Sequence, residues 1–273
     1  MVLEIDSLAA GKKLTLLKNY FAEKKSVAVA FSGGVDSTFL LKIAHETLGE
    51  NAVAVILSSP LIPRREIKAA EKFCADEKIK LICVDSDPFS IEGFSENPPE
   101  RCYICKKAMF GKIISCAEKL GIENVCEGSN EDDTKDYRPG MKAVRELGIL
   151  SPLLETHLSK NEIRFLSKQM NLPTWNLPSF ACLATRVQTG EEITLKKLHL
   201  VESCENLLYN MGCSQFRFRL HGNDFARIEV LPEDFSKVME GRRDIISLCS
   251  EFGIKNVTLD LAGYRTGSMN RSV

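Results

Sequence analysis

Residues 32–38 carry the densest set of groups that could bind a phosphate. They read Ser-Gly-Gly-Val-Asp-Ser-Thr and follow a short apolar run at residues 27–31, which is typical of a buried strand. The glycines let the chain turn sharply and bring bare backbone close to a ligand. A helical pattern follows at once, so its first free N–H groups would point at the turn. Because Ser32, Ser37 and Thr38 add hydroxyl donors, the spacing predicts a phosphate-binding turn.

This turn differs from the two commonest nucleotide motifs, because it lacks both the Walker A lysine and the G-x-G-x-x-G spacing. Ser-Gly-Gly-x-Asp-Ser instead resembles the PP-loop of the ATP pyrophosphatases, which cleave ATP to AMP and pyrophosphate while adenylating a carboxylate or carbonyl. The resemblance implies magnesium near Asp36 and a pyrophosphate surrounded by Ser32, Gly33, Gly34, Asp36, Ser37 and Thr38. The alternative, an ordinary glycine turn, is disfavoured because the residues match in a strand–turn–helix context.

Three of the ten cysteines stand apart from the others. Cys102 and Cys105 form a C-x-x-C pair at the start of a predicted helix, and Cys182 lies among helix breakers. The pair is typical of a redox couple, a zinc half-site or iron–sulfur ligands, although a four-cysteine zinc site would lack its second pair. Cys182 alone could be a nucleophile or sulfur donor. Cationic neighbours in sequence would favour the thiolate: Arg101, Lys106, Lys107 and Arg186.

The alternative for these three cysteines is a purely structural role, since a buried cysteine behaves as a small apolar residue. The other seven cysteines mostly lie in apolar patterns and are predicted to be structural.

A polar loop after the fourth predicted strand could also contact a nucleotide. Its candidates for orienting ATP or magnesium are Asn130, Asp132, Asp133 and Asp136. Arg138 in the same loop could bind a phosphate through two parallel hydrogen bonds. The alternative is a solvated acidic loop, and composition alone does not choose between them.

Two arginines alternate along a later predicted strand. Arg217 and Arg219 would project from the same face of that strand, where two guanidiniums could clamp a phosphate. The alternative is an exposed basic strand. Several acidic residues nearby, Glu205 and Glu229 among them, are candidate carboxylate partners or metal ligands, although the pattern alone favours a surface charge for each.

The predicted elements place these groups in an α/β protein. Four apolar strands are expected near residues 27–31, 52–57, 80–84 and 124–127, with helices between them, which indicates a parallel sheet. Ligands bind outside the carboxyl ends of such strands. A smaller α+β part follows, with helices near 194–211 and 232–252 and strands near 215–220, 225–230 and 257–261. We therefore expect a PP-loop domain at residues 1–188 and a second domain at 189–273.

Composition limits the classes of partner. The chain has 273 residues, is 44% hydrophobic and has a formal net charge of −1, so no strongly basic face is forced. That argues against a nucleic-acid substrate, whose binding depends on phosphate neutralisation. No apolar run reaches the ~20 residues of a membrane span, and the N-terminus lacks a signal-peptide layout. We expect a cytoplasmic protein without membrane partners.

Taken together, these groups resemble the LarE family of ATP-dependent sacrificial sulfur transferases, a branch of the PP-loop superfamily. The resemblance covers nearly the whole chain and rests on residues 30–37, 101–107, 127–133, 136–140, 178–186 and 226–229. Family members adenylate a carboxylate of pyridinium-3,5-biscarboxylic acid mononucleotide and replace the activated oxygen with sulfur, twice. The product becomes the nickel-pincer nucleotide of lactate racemase.

The resemblance also implies how the sulfur is supplied. Some members sacrifice the sulfur of a lone cysteine, at the position of Cys182, and are left with dehydroalanine. Others hold a 4Fe-4S cluster on three cysteines, and the presence of Cys102 and Cys105 makes this sequence similar to that type.

Further roles follow from the same resemblance. It places Arg217 and Arg219 on the substrate phosphate near Thr185, where a serine is common, and it places Glu205 and Glu229 near a divalent metal. It implies a homotrimer or homohexamer assembled through the C-terminal region, with a sulfur donor that the sequence does not identify.

Other classes of function remain open from the sequence. A tRNA-thiolating PP-loop enzyme would need a basic face or an RNA-binding domain, and neither is visible. An amide-forming synthetase of the NAD or GMP type would not need the cysteines. A non-catalytic nucleotide-binding or metal-delivery module would not exchange pyrophosphate into ATP.

Overall fold

The computed structural model describes residues 5–135, 140–178 and 181–265. These residues divide into two units. The first unit takes residues 1–59, 64–87 and 102–180, and the second takes residues 60–63, 88–101 and 181–273. No helix in the described part of the chain is long and apolar enough to cross a membrane.

The first unit contains a four-stranded parallel sheet. Its strands are β1 (Val27–Ala30), β2 (Ala52–Ser58), β3 (Leu81–Asp85) and β4 (Asn124–Cys126), in the spatial order β3-β2-β1-β4. Every neighbouring pair is parallel. The predicted α/β class with a parallel sheet is therefore confirmed, and each strand lies within two residues of its predicted position.

Helices connect these strands. The first unit contains α1 (Ser7–Ala22), α2 (Val35–Leu48), α3 (Arg64–Asp76), α4 (Arg101–Lys119), α5 (Gly140–Glu146), α6 (Pro152–Glu155) and α7 (Lys160–Gln169). The first residue of α4, Arg101, belongs to the second unit. Ser159 and Glu162 form the capping box that their spacing predicts at the start of α7.

Both faces of the parallel sheet are covered. Val27 and Val29 are fully buried in a core that includes side chains of α1, α2, α3 and α7. Ala28 and Val55 face the opposite way, into a second core with side chains of α4 and α5. Alternate residues of one strand therefore enter different cores, which explains why β1 and β2 are apolar along their whole length.

In its described residues the second unit contains a three-stranded sheet and three helices. Its elements are α8 (Leu195–Asn210), β5 (Phe216–His221), β6 (Phe225–Val230), α9 (Phe235–Glu240), α10 (Arg242–Glu251) and β7 (Asn256–Leu259). The strand order is β5-β6-β7; β5 and β6 are antiparallel, and β6 and β7 are parallel. The predicted α+β character and the final strand are confirmed.

The prediction of one continuous helix over residues 232–252 is wrong. The structure has a short 3-10 turn at Pro232–Asp234, then α9 and α10, with Gly241 between the two helices. A Cβ at Gly241 would lie only 2.1 Å from Cε of Met211. The methionine atoms belong to the end of a flexible side chain, so this contact does not by itself require glycine, and no local pattern signals the break between the two helices.

The second unit also takes residues 88–101, far from its main segment in sequence. Asn97 is fully buried, and its side-chain amide donates to the carbonyl of Gln188 at 2.7 Å, while its own carbonyl accepts from Gly190 N at 2.9 Å. Arg101 donates to the carbonyl of Ala184 at 3.3 Å. The structure thus groups these residues differently from the expected domains at residues 1–188 and 189–273, and that domain division stays a prediction.

Candidate functional site

The glycine turn follows β1 and leads directly into α2, as its sequence predicts. Gly33 has a φ of +72°, and a Cβ there would lie 3.3 Å from Cβ of Ala70 on α3. Both the backbone conformation and the close approach favour glycine at this position. Gly34 is the N-cap residue of α2 and has no side chain with which to cap it, so the first-turn N–H groups are suited to an anionic ligand.

Hydroxyl groups line the same turn. The Oγ atoms of Ser32 and Ser37 are 3.0 Å apart, and the Ser37 hydroxyl also accepts from Ser32 N at 3.3 Å. Thr38 is fully buried, and its Oγ1 has no hydrogen-bond partner among the described residues. A buried hydroxyl without a partner is costly, but this oxygen is enclosed by protein and would have to become exposed before a ligand phosphate could accept from it. The glycine turn and its serine hydroxyls fit the predicted pyrophosphate.

Asp36 in the first turn of α2 is held by two side chains from distant segments. Lys160, the first residue of α7, forms an ion pair with Asp36 Oδ2. The amide of Asn130 donates to Asp36 Oδ1 at 3.3 Å. Asn130 therefore lies beside the glycine turn, and its predicted role in orienting ATP or magnesium stays a prediction. The sequence analysis did not identify Lys160 as a candidate. The spacing of Ser159 and Glu162 indicates that a helix starts here, but nothing in the sequence links Lys160 to Asp36.

The segment after β4 packs tightly against the start of α2. A Cβ on Gly128 would lie 3.0 Å from Ser37 N and 3.2 Å from Cβ of Asp36. Next to it, the buried carboxylate of Glu127 accepts from Ser129 Oγ at 2.8 Å and from Ser151 Oγ at 2.7 Å. These contacts hold the polar loop against the phosphate-binding turn, and the sequence analysis did not anticipate them.

The polar loop has internal bonds where the structure describes it. Asp133 accepts from Asn130 N at 3.0 Å, and Asp132 accepts from Lys160 N at 2.9 Å. Asp132 and Asp133 therefore shape the loop around Asn130 and α7. Asp136 and Arg138, which were predicted to contact ATP, magnesium or phosphate, lie outside the described residues.

Cys102 and Cys105 lie in the first two turns of α4 and belong to the first unit, whereas Cys182 belongs to the second. Residues three apart on a helix share one face, so the pair is suited to bind one ligand. Cys105 is buried with its Sγ 3.3 Å from Sδ of Met109, and Cys102 and Cys182 are half-buried. Among the residues described, no group of three or more His, Cys, Asp or Glu side chains is arranged as a metal site.

Five of the seven cysteines predicted to be structural are buried, which suits such a role: Cys74, Cys126, Cys204, Cys213 and Cys249. Cys83 is exposed on β3, at one edge of the parallel sheet, and Cys116 is half-buried on α4. Burial therefore supports a structural role for five of these seven cysteines, whereas their apolar neighbours in the sequence predict that role for all seven.

Arg186 organises the turn that contains Cys182. Its side chain is 1% exposed and forms a two-pronged ion pair with Glu205, with distances of 2.8 Å for Nε–Oε1 and 3.0 Å for Nη2–Oε2. Its Nη1 donates to the carbonyls of Ala181 and Cys182 and to the hydroxyl of Thr185, at 2.7, 3.1 and 2.8 Å. The charge of Arg186 is thus paired with a carboxylate rather than directed at the thiol.

The Thr185 hydroxyl is committed within this turn. It donates to the Cys182 carbonyl at 2.8 Å and accepts from Arg186. Because a hydroxyl has one proton, Thr185 would have to rotate before it could donate to a substrate phosphate. The role that the resemblance gives it stays a prediction.

Arg217 and Arg219 occupy alternate positions of β5 and are both buried, contrary to the exposed-strand alternative. Arg219 is 3.2 Å from Glu229 and donates to the carbonyl of Thr185 at 3.0 Å. Arg217 stacks 4.9 Å from the ring centre of Tyr264. Burial, and secondarily the positive charge of Arg186, lowers the pKa of Arg217, so the protein disfavours this cation where it lies.

Five buried side chains of the second unit therefore hold more positive than negative charge. Three are arginines and two are glutamates: Arg186, Arg217, Arg219, Glu205 and Glu229. An anionic group would relieve the repulsion among these arginines. Each glutamate lies against an arginine, and Glu229 also pairs with Arg227 at 3.0 Å. The divalent site expected at Glu205 and Glu229 stays a prediction.

The chain is similar to known proteins both at the glycine turn and over most of its length. The family model for NAD synthase matches residues 11–100, which include the glycine turn. A pyridinium-3,5-bisthiocarboxylic acid mononucleotide synthase from Lactiplantibacillus plantarum is 32% identical over 96% of this chain and 94% of its own length.

Two other relatives show how far the similarity extends. An uncharacterised protein from Synechocystis sp. PCC 6803 is 38% identical over 95% of this chain and 97% of its own length. A glutamine-hydrolysing GMP synthase component from Thermoplasma volcanium is 26% identical over 68% of this chain and 64% of its own length. Similarity to the synthase from Lactiplantibacillus and to the protein from Synechocystis thus extends over both units.

Proposed function

The chain belongs to the LarE family of the PP-loop superfamily, and on that premise we propose that it converts a carboxylate of pyridinium-3,5-biscarboxylic acid mononucleotide into a thiocarboxylate, using ATP and forming AMP and pyrophosphate. The observation that carries the proposal is the 32% identity to the bisthiocarboxylic acid mononucleotide synthase over 96% of this chain. The glycine turn beside Asp36 and the buried arginines of β5 support it.

The first half-reaction is activation of the carboxylate. The turn at residues 32–38 binds the pyrophosphate part of ATP through backbone N–H groups and hydroxyls. Asp36 would hold Mg²⁺, which neutralises phosphate charge. Because Lys160 pairs with Asp36, its ammonium is close enough to move to a phosphate oxygen once nucleotide is bound. A substrate carboxylate oxygen attacks the α-phosphorus, the bond to the bridging oxygen breaks, and pyrophosphate leaves with that electron pair.

The second unit binds the substrate phosphate. Arg217 and Arg219 are fixed on one strand and share one face, so they can grip the phosphate of a mononucleotide. The excess of buried positive charge around them supports an anionic ligand. Thr185 would join this clamp after its hydroxyl rotates away from the Cys182 carbonyl.

Sulfur delivery is assigned to Cys102, Cys105 and Cys182. The three thiolates would hold three irons of a 4Fe-4S cluster, which, when bound, supplies a transferable sulfide. The helical spacing of Cys102 and Cys105 and the partial exposure of Cys102 and Cys182 fit that role.

In the alternative version of the proposal, Cys182 acts alone. Its thiolate attacks the activated carbonyl carbon and AMP leaves. Loss of the Cα proton then breaks the Cβ–S bond, so the thiocarboxylate departs with the sulfur and Cys182 becomes dehydroalanine. The expectations of cytoplasmic location and of a homotrimer or homohexamer stay predictions.

The test is an assay under anaerobic conditions with the pyridinium biscarboxylic acid mononucleotide, ATP and Mg²⁺. We expect thiocarboxylate, AMP and pyrophosphate, together with protein-bound iron and sulfide that fall in Cys105→Ala. Cys116→Ala, on the same helix, is the matched control and should keep both. An iron-free protein that turns over once and loses the Cys182 sulfur would leave only the sacrificial version.

A related outcome separates this function from amide synthesis. The similarity to the GMP synthase component makes an adenylating ligase the competing function. A Cys182→Ala variant that still couples ATP cleavage to amide formation at the wild-type rate would favour that ligase and overturn the sulfur-transfer proposal.

A further inference from the structure

All three nitrogens of the Arg186 guanidinium donate hydrogen bonds within the second unit. Nε and Nη2 bind the two oxygens of Glu205, and Nη1 serves the two carbonyls and the hydroxyl of the turn at residues 181–185. The guanidinium is planar and presents its donors in a fixed fork. The position of the Cys182 backbone is therefore tied to the position of the Glu205 carboxylate.

Glu205 extends this connection to the phosphate-binding strand. Its Oε1 also accepts from Phe218 N at 3.1 Å, and Phe218 lies between Arg217 and Arg219 on β5. Arg219 in turn donates to the carbonyl of Thr185. Two independent connections thus join the turn that contains Cys182 to the strand that presents both arginines.

We propose that the buried Arg186–Glu205 pair is a positioning unit that fixes Cys182 relative to the phosphate-binding arginines of β5, and that Glu205 is a counter-ion and not a ligand of a divalent cation. The roles of Cys182 and of the arginines in this inference rest on the proposed function. The hydrogen-bond geometry around Arg186 does not.

The state of Glu205 argues against metal binding. Both of its oxygens accept from the guanidinium, and the side chain is completely buried. A divalent cation on this carboxylate would have to displace Arg186. That displacement would leave a buried guanidinium without its counter-ion, which is strongly unfavourable.

The test replaces the whole pair, because removing one partner alone would leave a buried charge and risk misfolding. In the full-length double variant Arg186→Met/Glu205→Met, the KM for the pyridinium mononucleotide should stay close to that of the wild type. The kcat for thiocarboxylate should fall by about 100-fold, the usual effect of a ~1 Å misplacement of a reacting group. The AMP released per thiocarboxylate should rise, because water then captures the activated carboxylate.

The matched control is Lys42→Met/Glu77→Met, which removes an ion pair of the first unit and should leave the AMP-to-thiocarboxylate ratio unchanged. A double variant at Arg186 and Glu205 with wild-type kcat and ratio would overturn the positioning role. Equal losses of AMP and thiocarboxylate, as simple destabilisation would give, would also overturn it.

Two further measurements do not depend on the proposed function. The alkylation rate of Cys182, followed by peptide mass spectrometry with iodoacetamide, should differ between the wild type and the Arg186/Glu205 double variant. Equal rates would contradict the inference even if no thiocarboxylate is ever detected. Titration with Mn²⁺, followed by electron paramagnetic resonance, should be the same for the wild type and the Arg186/Glu205 double variant. Loss of a bound Mn²⁺ in that variant would show that Glu205 is a metal ligand.

Discussion

The ion pair between Asp36 and Lys160 joins residues that are 124 positions apart, and it forms at the start of two different helices. Both side chains are partly exposed, so the pair adds little to stability. Under the proposed function, the pair brings the Lys160 ammonium to the place where the phosphates are expected.

The first prediction follows from this pair. Lys160→Met should reduce ATP–pyrophosphate exchange by about 100-fold, a typical effect of removing one donor to developing charge, while thermal stability stays near that of the wild type. Lys72→Met, which breaks an exposed ion pair with Asp76, is the control and should keep full exchange. Normal exchange in the Lys160 variant would exclude this role.

Gly128 provides a second prediction at the residue scale. An added Cβ would meet Ser37 N at 3.0 Å and Asp36 at 3.2 Å, so Gly128→Ala should push the polar loop away from the phosphate-binding turn. We expect weaker ATP binding by isothermal titration. Gly111→Ala is the matched control, because a Cβ on Gly111 of α4 meets nothing within 4 Å. That variant should bind ATP normally and gain up to about 1 kcal/mol of stability. Equal affinity in both variants would contradict the argument.

At the residue scale, the sequence predicted which residues could bind a ligand better than it predicted which side chains contact one another. The glycine turn was predictable because its conformational demands are local, and the structure places Asn130 beside Asp36. Lys160 and Glu205 were not assigned their partners, because an ion pair between distant segments leaves no spacing in the sequence. Burial of Arg217 and Arg219 was likewise invisible, since it depends on what packs over β5.

The capping box at the start of helix α7 also contacts helix α1. Glu162 of the capping box accepts from Ser159 N at 2.8 Å and is 2.8 Å from Lys13 Nζ on α1. Burial alone would raise the pKa of Glu162, but the hydrogen bonds from Lys13 and Ser159 outweigh it and lower the pKa. The cap thus joins α7 to α1 while it places Lys160 at the first helical position.

A pH prediction follows, with its sign set by that lowered pKa. The ionised Glu162 stabilises the folded state fully above its unfolded pKa of about 4.3, and this contribution is lost as the pH falls through the lower folded value. Glu162→Gln keeps a capping side chain but removes the charge. Urea unfolding should therefore show the wild type ahead at pH 7 and the difference shrinking below about pH 4.

The control for this measurement is Glu118→Gln, on the exposed side of α4, which should track the wild type at every pH. A constant difference between wild type and Glu162→Gln from pH 7 to pH 3 would contradict the assignment of the effect to ionisation.

Element boundaries followed the sequence wherever the signal was local. The capping box fixed the start of α7, and the apolar runs fixed the strands. The break between α9 and α10 at Gly241 was missed because a single glycine is tolerated within a helical pattern and does not by itself indicate a break.

On the scale of the whole molecule, Asn97 connects two separate stretches of the second unit. It is buried with a positive φ of 54°, and its side chain binds the carbonyl of Gln188 and the guanidinium of Arg101. The left-handed conformation costs an ordinary L-residue about 1–2 kcal/mol. Asn97 therefore supplies both a backbone shape and a pair of buried hydrogen bonds.

The fourth prediction compares two substitutions there. Asn97→Gly keeps the backbone freedom and loses the side-chain bonds, whereas Asn97→Ala loses both. Urea unfolding should show Asn97→Gly less stable than the wild type by about 1–3 kcal/mol. Asn97→Ala should be less stable by about 1 kcal/mol more, from the left-handed backbone. If Asn97→Ala is as stable as Asn97→Gly, or more stable, the argument from the left-handed backbone conformation is wrong.

The parallel sheet, the smaller α+β part and their order were predictable, because each is built from consecutive elements with clear periodicity. The membership of residues 88–101 in the second unit was not. That membership depends on hydrogen bonds that Asn97 and Arg101 make with the segment at 184–190. An asparagine or an arginine in the sequence does not by itself predict such a contact.

Because residues 60–63 and 88–101 belong with the C-terminal segment, no single peptide bond separates the two units. A chimera between relatives that exchanged only the C-terminal segment would combine a foreign sheet with native inserts. A gene split at any one position would likewise divide at least one unit between two polypeptides. Any transplant of the half that contains Arg217 and Arg219 must therefore include these short inserts.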